Sequence, residues 1–269
     1  MSMNMKYNKL SVVTVCFNAA NEIEKTILSV LSQEDCDIEY IVIDGKSKDN
    51  TVDIIKKYQG KIDKWISEPD NGLYDAMNKG IEMASGDWIC FMNAGDVFVN
   101  NNVVSEVFKQ NIPDNTGVIY GDVVLDYSPY GYVLKRMNNL KGEQVALGVC
   151  HQATLTRAAI LKEMKYDLSY KIFADINAFY IMWKKGIVYT YVPVKMALFE
   201  AFDGISNTKV FDCFKESARF RGIKWYSFKW WKGLFTACMK KAMNVAMDNE
   251  DFRRNKYKRI LSKYEPYNL

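Results

Sequence analysis

The stretch Trp88–Asp96, with the sequence WICFMNAGD, decides how this chain folds. Its first five residues are apolar, which predicts a buried central strand of a parallel or mixed sheet. Open α/β sheets bind ligands beyond the carboxyl ends of such strands, so we expect Asp96 at a ligand site. Ala94 and Gly95 let the backbone approach a bulky anion, and the carboxylate can hold a divalent cation on a diphosphate. The alternative is a plain turn in which Asp96 caps a following helix.

Strands and helices alternate before Trp88. Three apolar runs predict strands at 10–15, 38–43 and 64–67, and apolar residues at helical spacing predict a helix after each of them. Gly86 is expected to end the third helix. These repeats predict an α/β fold with a Rossmann-like, doubly wound, mostly parallel sheet. The acid-bearing turns after strands two, three and four then lie at one edge of the sheet.

The pattern is looser after Asp96. We predict helices at 103–108, at 157–164 and from 172 onward, and strands at 118–120, 153–156 and 187–192. Residues 120–122 are expected to form a turn, and residues 123–136 a hairpin-like excursion.

Composition excludes several classes of protein. The 269 residues are 49% hydrophobic and 25% charged, as in soluble globular proteins. No apolar run approaches the roughly 20 residues that a spanning helix needs, and no signal peptide is recognisable. The six cysteines are scattered, which favours reduced thiols over disulfides or a zinc site. We therefore expect a cytoplasmic protein.

The C-terminal region, residues 209–269, is expected to be helical, basic and rich in aromatic residues. The net charge is only +4, but lysines and arginines concentrate after Arg219 and alternate with tryptophans and phenylalanines. This composition is typical of a helix at a membrane interface. Packing of the aromatic residues on the core is the alternative. Nucleic-acid binding has no supporting motif, and we expect none.

Four segments resemble, in order, the successive motifs of family 2 glycosyltransferases. They are VVTVCFN at 12–18, IDGKSKDNT at 43–51, Asn71-Gly72 with AMNKG at 76–80, and FMNAGD at 91–96. Later in the chain, His151-Gln152 and Ala174-Asp175 also match. The resemblance implies a GT-A fold and inverting transfer of a sugar from a nucleotide-diphosphate-sugar to an acceptor hydroxyl. In this reading, residues 1–208 form the catalytic domain, with a nucleotide-sugar-binding half to about residue 122 and an acceptor half from about 123.

The same resemblance implies roles for individual residues. Val15 and Phe17 would border the base, Asp44 would accept a hydrogen bond from it, as befits uracil, and Asn93 would lie near the ribose. The residues implied in donor binding are Val15, Phe17, Asn18, Asp44, Asp70, Gly72, Tyr74, Asn78, Asn93 and Asp96. The turn that contains Asp70 and Gly72 has helix capping as its alternative role.

The resemblance also implies a metal site and a base. Asp96 would hold Mn²⁺ or Mg²⁺ against the diphosphate, and Asp175 would take the proton of the acceptor. The family's metal motif usually carries more than one Asp, whereas Asn93 and Gly95 leave only Asp96 here. His151 and Gln152 are assigned to acceptor binding; for His151, a metal-ligand role and a purely structural role are the alternatives.

Together these observations predict a glycosyltransferase that adds a sugar to a lipid-linked glycan in capsule, O-antigen or exopolysaccharide assembly. The C-terminal region would hold it peripherally on the inner face of the cell membrane. A sugar nucleotidyltransferase is one alternative, although no Gly-rich triphosphate loop follows Val15. A catalytically silent nucleotide-sugar-binding scaffold subunit is the other.

Overall fold

The computed structural model describes residues 9–201, 209–245 and 250–267. Within these ranges ten strands form one sheet and ten α-helices accompany it. The strands are β1 Leu10–Cys16, β2 Ile38–Asp44, β3 Lys64–Ser67, β4 Trp88–Phe91, β5 Val97–Phe98, β6 Thr116–Asp126, β7 Tyr132–Lys135, β8 Thr154–Arg157, β9 Val188–Glu200 and β10 Glu265–Tyr267. The helices are α1 Ile23–Leu31, α2 Thr51–Tyr58, α3 Leu73–Met83, α4 Val103–Phe108, α5 Glu143–Gly148, α6 Ala158–Met164, α7 Ala174–Lys184, α8 Val210–Phe220, α9 Phe228–Val245 and α10 Glu250–Leu261.

The sheet confirms the predicted α/β architecture. Strands β3, β2, β1 and β4 lie side by side and are parallel, with β1 at the centre of the group. Strands β8, β6, β7 and β10 continue the sheet in antiparallel pairs, and β9 runs parallel to β6. The carboxyl ends of β1, β2, β3 and β4 therefore share one edge, as predicted for the acid-bearing turns.

Two apolar clusters cover the two faces of the sheet. Ile23 and Ile27 of α1 pack on one face, and Met77 and Ile81 of α3 pack on the other. All four side chains are fully buried. Burying one such side chain stabilises the fold by roughly 1.5–3 kcal/mol. The helical spacing of these residues thus fixes both layers of helices against the central strands.

Two glycines have other roles than those predicted. Helix α3 ends at Met83 with Ala84 in an extended conformation, so Gly86 does not end it. A Cβ atom on Gly86 would lie 2.7 Å from the Lys9 carbonyl oxygen, so the close approach of β1 requires glycine there. Gly121 lies inside β6 rather than in a turn, and a Cβ atom there would meet Val194 and Met196 of β9. The predicted turn at 120–122 is therefore wrong.

Asp96 does not cap a helix. Its backbone N–H donates to the Asn93 carbonyl oxygen at 2.9 Å, and the short strand β5 follows it directly. The next helix, α4, begins at Val103, and Asn102 occupies its N-cap position. The capping alternative is thus excluded, and the Asp96 side chain is left at the sheet edge.

The C-terminal elements pack on the preceding part of the chain. Helix α8 contacts α7 through Phe220, whose ring lies 5.6 Å from that of Tyr180. Strand β10 extends the sheet by pairing with β7, and Tyr257 of α10 stacks on Tyr130 with ring centroids 5.9 Å apart. None of the described helices is both long and apolar enough to cross a membrane.

Candidate active site

The turns after β1 and β2 are joined by hydrogen bonds from backbone N–H groups to side-chain oxygen atoms. Asn18, which has a φ of 50°, donates its backbone N–H to Ser47 Oγ at 2.8 Å, and its Oδ1 accepts the Lys48 N–H at 2.8 Å. Ala19 N–H donates to Thr51 Oγ1 at 2.8 Å. The predicted donor-binding residue Asn18 therefore shapes this edge of the sheet through its own hydrogen bonds.

The Asp44 side chain is fully buried at the end of β2. Its Oδ2 accepts hydrogen bonds from the Ser47 N–H at 3.0 Å and from Ser67 Oγ at 2.6 Å. Its Oδ1 accepts the Ser47 hydroxyl and faces Cys16 Sγ at 3.7 Å. Because all its lone pairs have partners, Asp44 can bond a base only if a serine hydroxyl turns away. The contact of Asp44 with the nucleotide base therefore stays a prediction, and it requires Ser47 or Ser67 to release the carboxylate.

Phe17 and Asp70 meet beside Gly45. Phe17 is 59% exposed, and a Cβ atom on Gly45 would collide with the Asp70 carboxylate and lie 3.4 Å from the Phe17 ring. Asp70 Oδ1 also accepts the N–H of Gly72, which has a φ of 111° and precedes α3. The exposed ring, the bare backbone of Gly45 and a carboxylate thus form a surface suited to a planar base.

Two predicted donor-binding residues lie elsewhere. The Asn78 side chain donates to the Tyr166 carbonyl oxygen at 2.9 Å and accepts the Tyr166 N–H at 2.8 Å. This pair of bonds ties α3 to the segment after α6, which gives Asn78 a structural contact, and its predicted donor contact stays a prediction. The Val15 side chain is buried in the core, and its carbonyl oxygen accepts the Ala94 N–H at 3.1 Å. Val15 thus places the turn that carries Asp96.

A cleft of about 950 Å³ opens beyond the end of β4. It is bounded by the turn after β4, by the segment around His151 and by the first turn of α7. Six of the predicted site residues line it: Tyr74, Asn93, Asp96, His151, Gln152 and Asp175. The structure therefore brings the predicted base, metal and acceptor residues together in one cavity.

Asp175 is buried in the wall of this cleft, with 8% of its surface exposed. Its Oδ1 accepts the Ile176 N–H and the Tyr74 hydroxyl, each at 2.8 Å, and its Oδ2 lies 2.9 Å from His151 Nδ1. Burial raises the pKa of this carboxyl, but the hydrogen bond and charge of His151, together with the bonds from the Tyr74 hydroxyl and the Ile176 N–H, outweigh burial, so the pKa is lowered. Asp175 is therefore ionised at neutral pH and can accept a proton through its less occupied Oδ2.

His151 bridges Asp175 and Asn93. Its Nε2 lies 3.1 Å from Asn93 Nδ2, so in this arrangement Nε2 accepts and Nδ1 carries the proton given to Asp175. Burial lowers the pKa of His151, but the bond and charge of Asp175 outweigh it, so the pKa is raised. His151 therefore contacts the predicted base directly, and its predicted role in acceptor binding stays a prediction.

Asp96 and Asn93 supply oxygen atoms suited to a hard cation. Burial raises the pKa of Asp96 to about 6, against the opposing effect of His151, and Gln152 Nε2 approaches its Oδ1 at 3.4 Å. Asn93 Oδ1 is buried with no hydrogen-bond partner. An unpaired buried oxygen is costly, and a cation or a ligand hydroxyl would satisfy it. Among the described residues no three acidic, His or Cys side chains form a metal cluster, so the donor's phosphates would have to complete the coordination.

The sequence reading missed the pair Glu22 and Lys25, which lines the cleft beside the turn after β4. The two side chains form an ion pair, and a Cβ atom on Gly95 would lie 3.7 Å from Glu22 Oε2. The two residues lie at the start of α1, where the only pattern in the sequence was the helical spacing of apolar residues. They add one more charge of each sign to the cleft.

Glu216 of α8 was also missed, and it holds the segment before Asp175. Its carboxylate accepts backbone N–H bonds from Lys171 at 2.7 Å, Ile172 at 3.0 Å and Phe173 at 2.9 Å. The Ile172 carbonyl oxygen also accepts the Tyr74 hydroxyl. A helix of the C-terminal region thus holds the segment that precedes the predicted base, Asp175.

Replacing Glu216 with Gln should lower turnover about tenfold and the free energy of unfolding by about 2 kcal/mol, because charge-assisted hydrogen bonds to three N–H groups are weakened. Donor affinity should not change, because the donor-side turns lie on other elements. Steady-state kinetics, donor titration and urea unfolding would measure these effects. Asp212→Asn on the same helix is the matched control; equal turnover in the two variants would contradict the positioning role.

Replacing His151 with Gln should move the acidic limb of the pH–rate profile to higher pH. As the predicted base, Asp175 would work only when ionised; His151 lowers its pKa, so removing the imidazole should raise that pKa and activity should be lost at a higher pH. The rate measured from about pH 4 to about pH 9 checks this. An acidic limb that stays in place would show that His151 does not act on Asp175.

The sheet, the acid-bearing edge and the cleft that Asp175 and Asp96 line define an α/β protein with a polar site beyond the ends of its parallel strands. The sequence profile of glycosyl transferase family 2 matches residues 11–166, more than half of the chain. The chain belongs to glycosyltransferase family 2 and has the GT-A fold. The predicted family and fold are thereby confirmed, and the class uses nucleotide-sugar donors.

Relatives and solved structures agree with this assignment. A PGL/p-HBAD biosynthesis glycosyltransferase of Mycobacterium bovis is 27% identical over 215 residues, covering 74% of this chain and 80% of its own. An uncharacterised glycosyltransferase of Mycobacterium tuberculosis is 35% identical over 176 residues, covering 62% and 65%.

Two solved structures share the fold at 15% identity. The mannosyltransferase PcManGT of Pyrobaculum calidifontis, in complex with GDP-Man and Mn²⁺, superposes with a TM-score of 0.66 over 97% of this chain and 82% of its own. TarS 1–349 of S. aureus, in complex with UDP, gives a TM-score of 0.59 over 82% of this chain and 66% of its own.

Proposed function

We propose that this glycosyltransferase transfers a sugar from a UDP-sugar to an acceptor hydroxyl with inversion at the anomeric carbon, and that Asp175 is the general base. The observation that carries this is the hydrogen-bonded row from Asp175 through His151 to Asn93, which ends beside Asp96 in one cleft. It supports the proposal because a carboxylate that could take a proton and oxygen atoms that could hold a cation line the same cavity.

In the proposed reaction, the acceptor hydroxyl lies against Asp175 Oδ2. The hydroxyl proton passes to this carboxylate as the acceptor oxygen bonds to the anomeric carbon, and the bond from that carbon to the diphosphate oxygen breaks. The nucleoside diphosphate leaves with the electron pair. His151 and the Tyr74 hydroxyl keep Asp175 oriented throughout, because each contacts a different oxygen of the carboxylate.

The proposed cofactor is Mn²⁺ or Mg²⁺, held by Asp96 with Asn93 Oδ1 as a second oxygen. When bound, it would neutralise charge on the leaving diphosphate. PcManGT contains Mn²⁺ with its donor, which agrees with this assignment. On the donor side, Phe17, Asn18, Asp70 and Gly72 are proposed to contact the nucleotide.

A panel of nucleotide sugars tests the proposal. Transfer and donor hydrolysis would be measured for each donor with Mn²⁺, with and without a lipid-linked glycan acceptor. We expect one UDP-sugar to give turnover that depends on the acceptor and on the metal. Binding without turnover would instead favour the silent scaffold subunit, and diphosphate release from a nucleoside triphosphate and a sugar phosphate would favour a nucleotidyltransferase.

The proposed acceptor is a lipid-linked glycan of cell-surface polysaccharide assembly, met at the cytoplasmic face of the membrane. Six of the eleven exposed large apolar side chains among the described residues lie between Trp225 and Met239. Four of these residues, Phe228, Trp231, Phe235 and Met239, follow one face of α9, and we name them the apolar stripe. The opposite face is already occupied, since Trp230 packs on Phe214 of α8 with ring centroids 5.3 Å apart.

Exchanging both Trp231 and Phe235 for Ser should weaken binding to anionic vesicles by at least about a hundredfold, because each side chain loses roughly 1.5–3 kcal/mol of apolar transfer free energy. Cosedimentation with vesicles of phosphatidylglycerol and phosphatidylcholine measures this. Leu28, which is 49% exposed on α1, gives the control Leu28→Ser. If both proteins sediment alike, the stripe is not the membrane contact.

A further inference from the structure

A second cavity lies beside the catalytic cleft, between α8 and α9. Its volume is about 820 Å³, and we name it the helical groove. Its walls are mainly apolar and include Val210, Cys213, Phe214, Ala218, Gly233 and Ala237. Such walls favour an apolar ligand over a sugar or a nucleotide.

The helical groove adjoins the catalytic cleft at the proposed base. Phe173 and Ile176 line both cavities, and they flank Asp175 in the chain. A molecule that extends from the groove past these two residues would therefore enter the cleft that Asp175 lines. This position is the one that an acceptor needs and a donor does not.

Three cations and no carboxylate line the described part of the helical groove. Arg221 lies 3.7 Å from Glu143, whereas Lys229 and Lys232 are exposed and have no ion-pair partner among the described residues. Each of these lysines directly follows a residue of the apolar stripe in α9, namely Phe228 and Trp231. The groove thus combines apolar walls with an anion-binding rim on the helix that presents the stripe.

We propose that the helical groove binds the lipid end of the acceptor, an isoprenoid chain joined to a diphosphate. The chain packs between α8 and α9, and the diphosphate bonds to Lys229, Lys232 and Arg221. The attached glycan then extends past Phe173 and Ile176 to Asp175. This inference rests on the proposed transfer function, because it assigns the acceptor of that reaction. Charge complementarity decides the occupant: a neutral lipid would leave the lysines unpaired, and a free phosphate would leave the apolar walls empty.

Calorimetric titration of the full chain with farnesyl diphosphate tests the site without any donor. We expect farnesyl diphosphate to bind about tenfold more tightly than farnesol or inorganic diphosphate. The variant Lys229→Gln/Lys232→Gln should lose about tenfold in affinity, and Thr236→Trp, which fills the groove from an exposed position, should do the same. Lys215→Gln, an exposed cation of α8 outside the groove, is the matched control and should bind as the parent does.

The outcomes separate this proposal from the function on which it rests. If farnesyl diphosphate does not bind while nucleotide sugars do, or if inorganic diphosphate binds equally well, the groove is not a lipid diphosphate site. Unchanged binding in Thr236→Trp would overturn the location. Binding that the groove variants weaken, in a protein that turns over no nucleotide sugar, would support the site and overturn the transfer function instead.

Discussion

Replacing Asp175 with Asn is expected to abolish transfer, with a loss of roughly 10²–10⁴-fold in turnover, while donor binding stays nearly intact. The amide has almost the same shape and can still accept from the Ile176 N–H or the Tyr74 hydroxyl, which now contact Oδ1. It cannot take the acceptor's proton. The loss should therefore appear in kcat and not in the donor's dissociation constant.

Asp126 offers a matched control for this substitution. It lines the same cleft, but its Oδ1 only accepts the Ser128 N–H at 2.7 Å in a surface turn. Asp126→Asn should therefore leave turnover within about twofold of the parent, as surface substitutions usually do. Unchanged turnover in Asp175→Asn, measured beside this control, would remove Asp175 from the role of base.

Replacing Asp96 with Ala should abolish metal-dependent donor binding and lower turnover about a hundredfold, the order expected when one electrostatic stabiliser of the leaving group is lost. Donor titrations with Mn²⁺ and with a chelator measure this. The parent protein should bind the donor more tightly with Mn²⁺, and the variant should show no difference. The control Glu22→Gln removes a different carboxylate that lies beside the same turn, and it should keep the metal effect.

The same site predicts a pH dependence of donor binding. The pKa of Asp96 is raised to about 6, and a protonated carboxyl does not hold a cation. Metal-dependent donor affinity should therefore weaken as the pH falls below about 6, whereas affinity in chelator should stay flat. If Asp96→Ala still binds the donor more tightly with Mn²⁺ than with chelator, the metal assignment is wrong.

The parallel half of the fold could be predicted because its signals are local. The apolar runs of β1, β2 and β4 and the helical spacing of Ile23 and Ile27 each span a few residues, and together they fix which strand ends share an edge. That edge carries Asp96 to the cleft, whereas Asp175 reaches the cleft from the first turn of α7. The family resemblance supplied their roles, which spacing alone leaves open.

Contacts between distant segments could not be predicted in this way. Ser67 fills a lone pair of Asp44 from the neighbouring strand, and Asn78 holds Tyr166 across 88 residues of sequence. The partners of such side chains depend on packing that no periodicity encodes. Gly86 shows the same limit. Its position after a helix predicts a helix cap, whereas the structure requires glycine there because β1 approaches closely.

The bonds from Glu216 to Lys171, Ile172 and Phe173 bear on how such an enzyme can be rebuilt by exchange of segments. A chain cut at residue 208 would retain every donor and base residue named above, but it would leave three N–H groups before α7 without their acceptor. Chimaeras that bring new acceptor-binding helices from a relative must therefore include a carboxylate equivalent to Glu216. An exchanged segment should therefore keep the contact between Glu216 and residues 171–173, and its boundary should not be set where the sequence becomes basic.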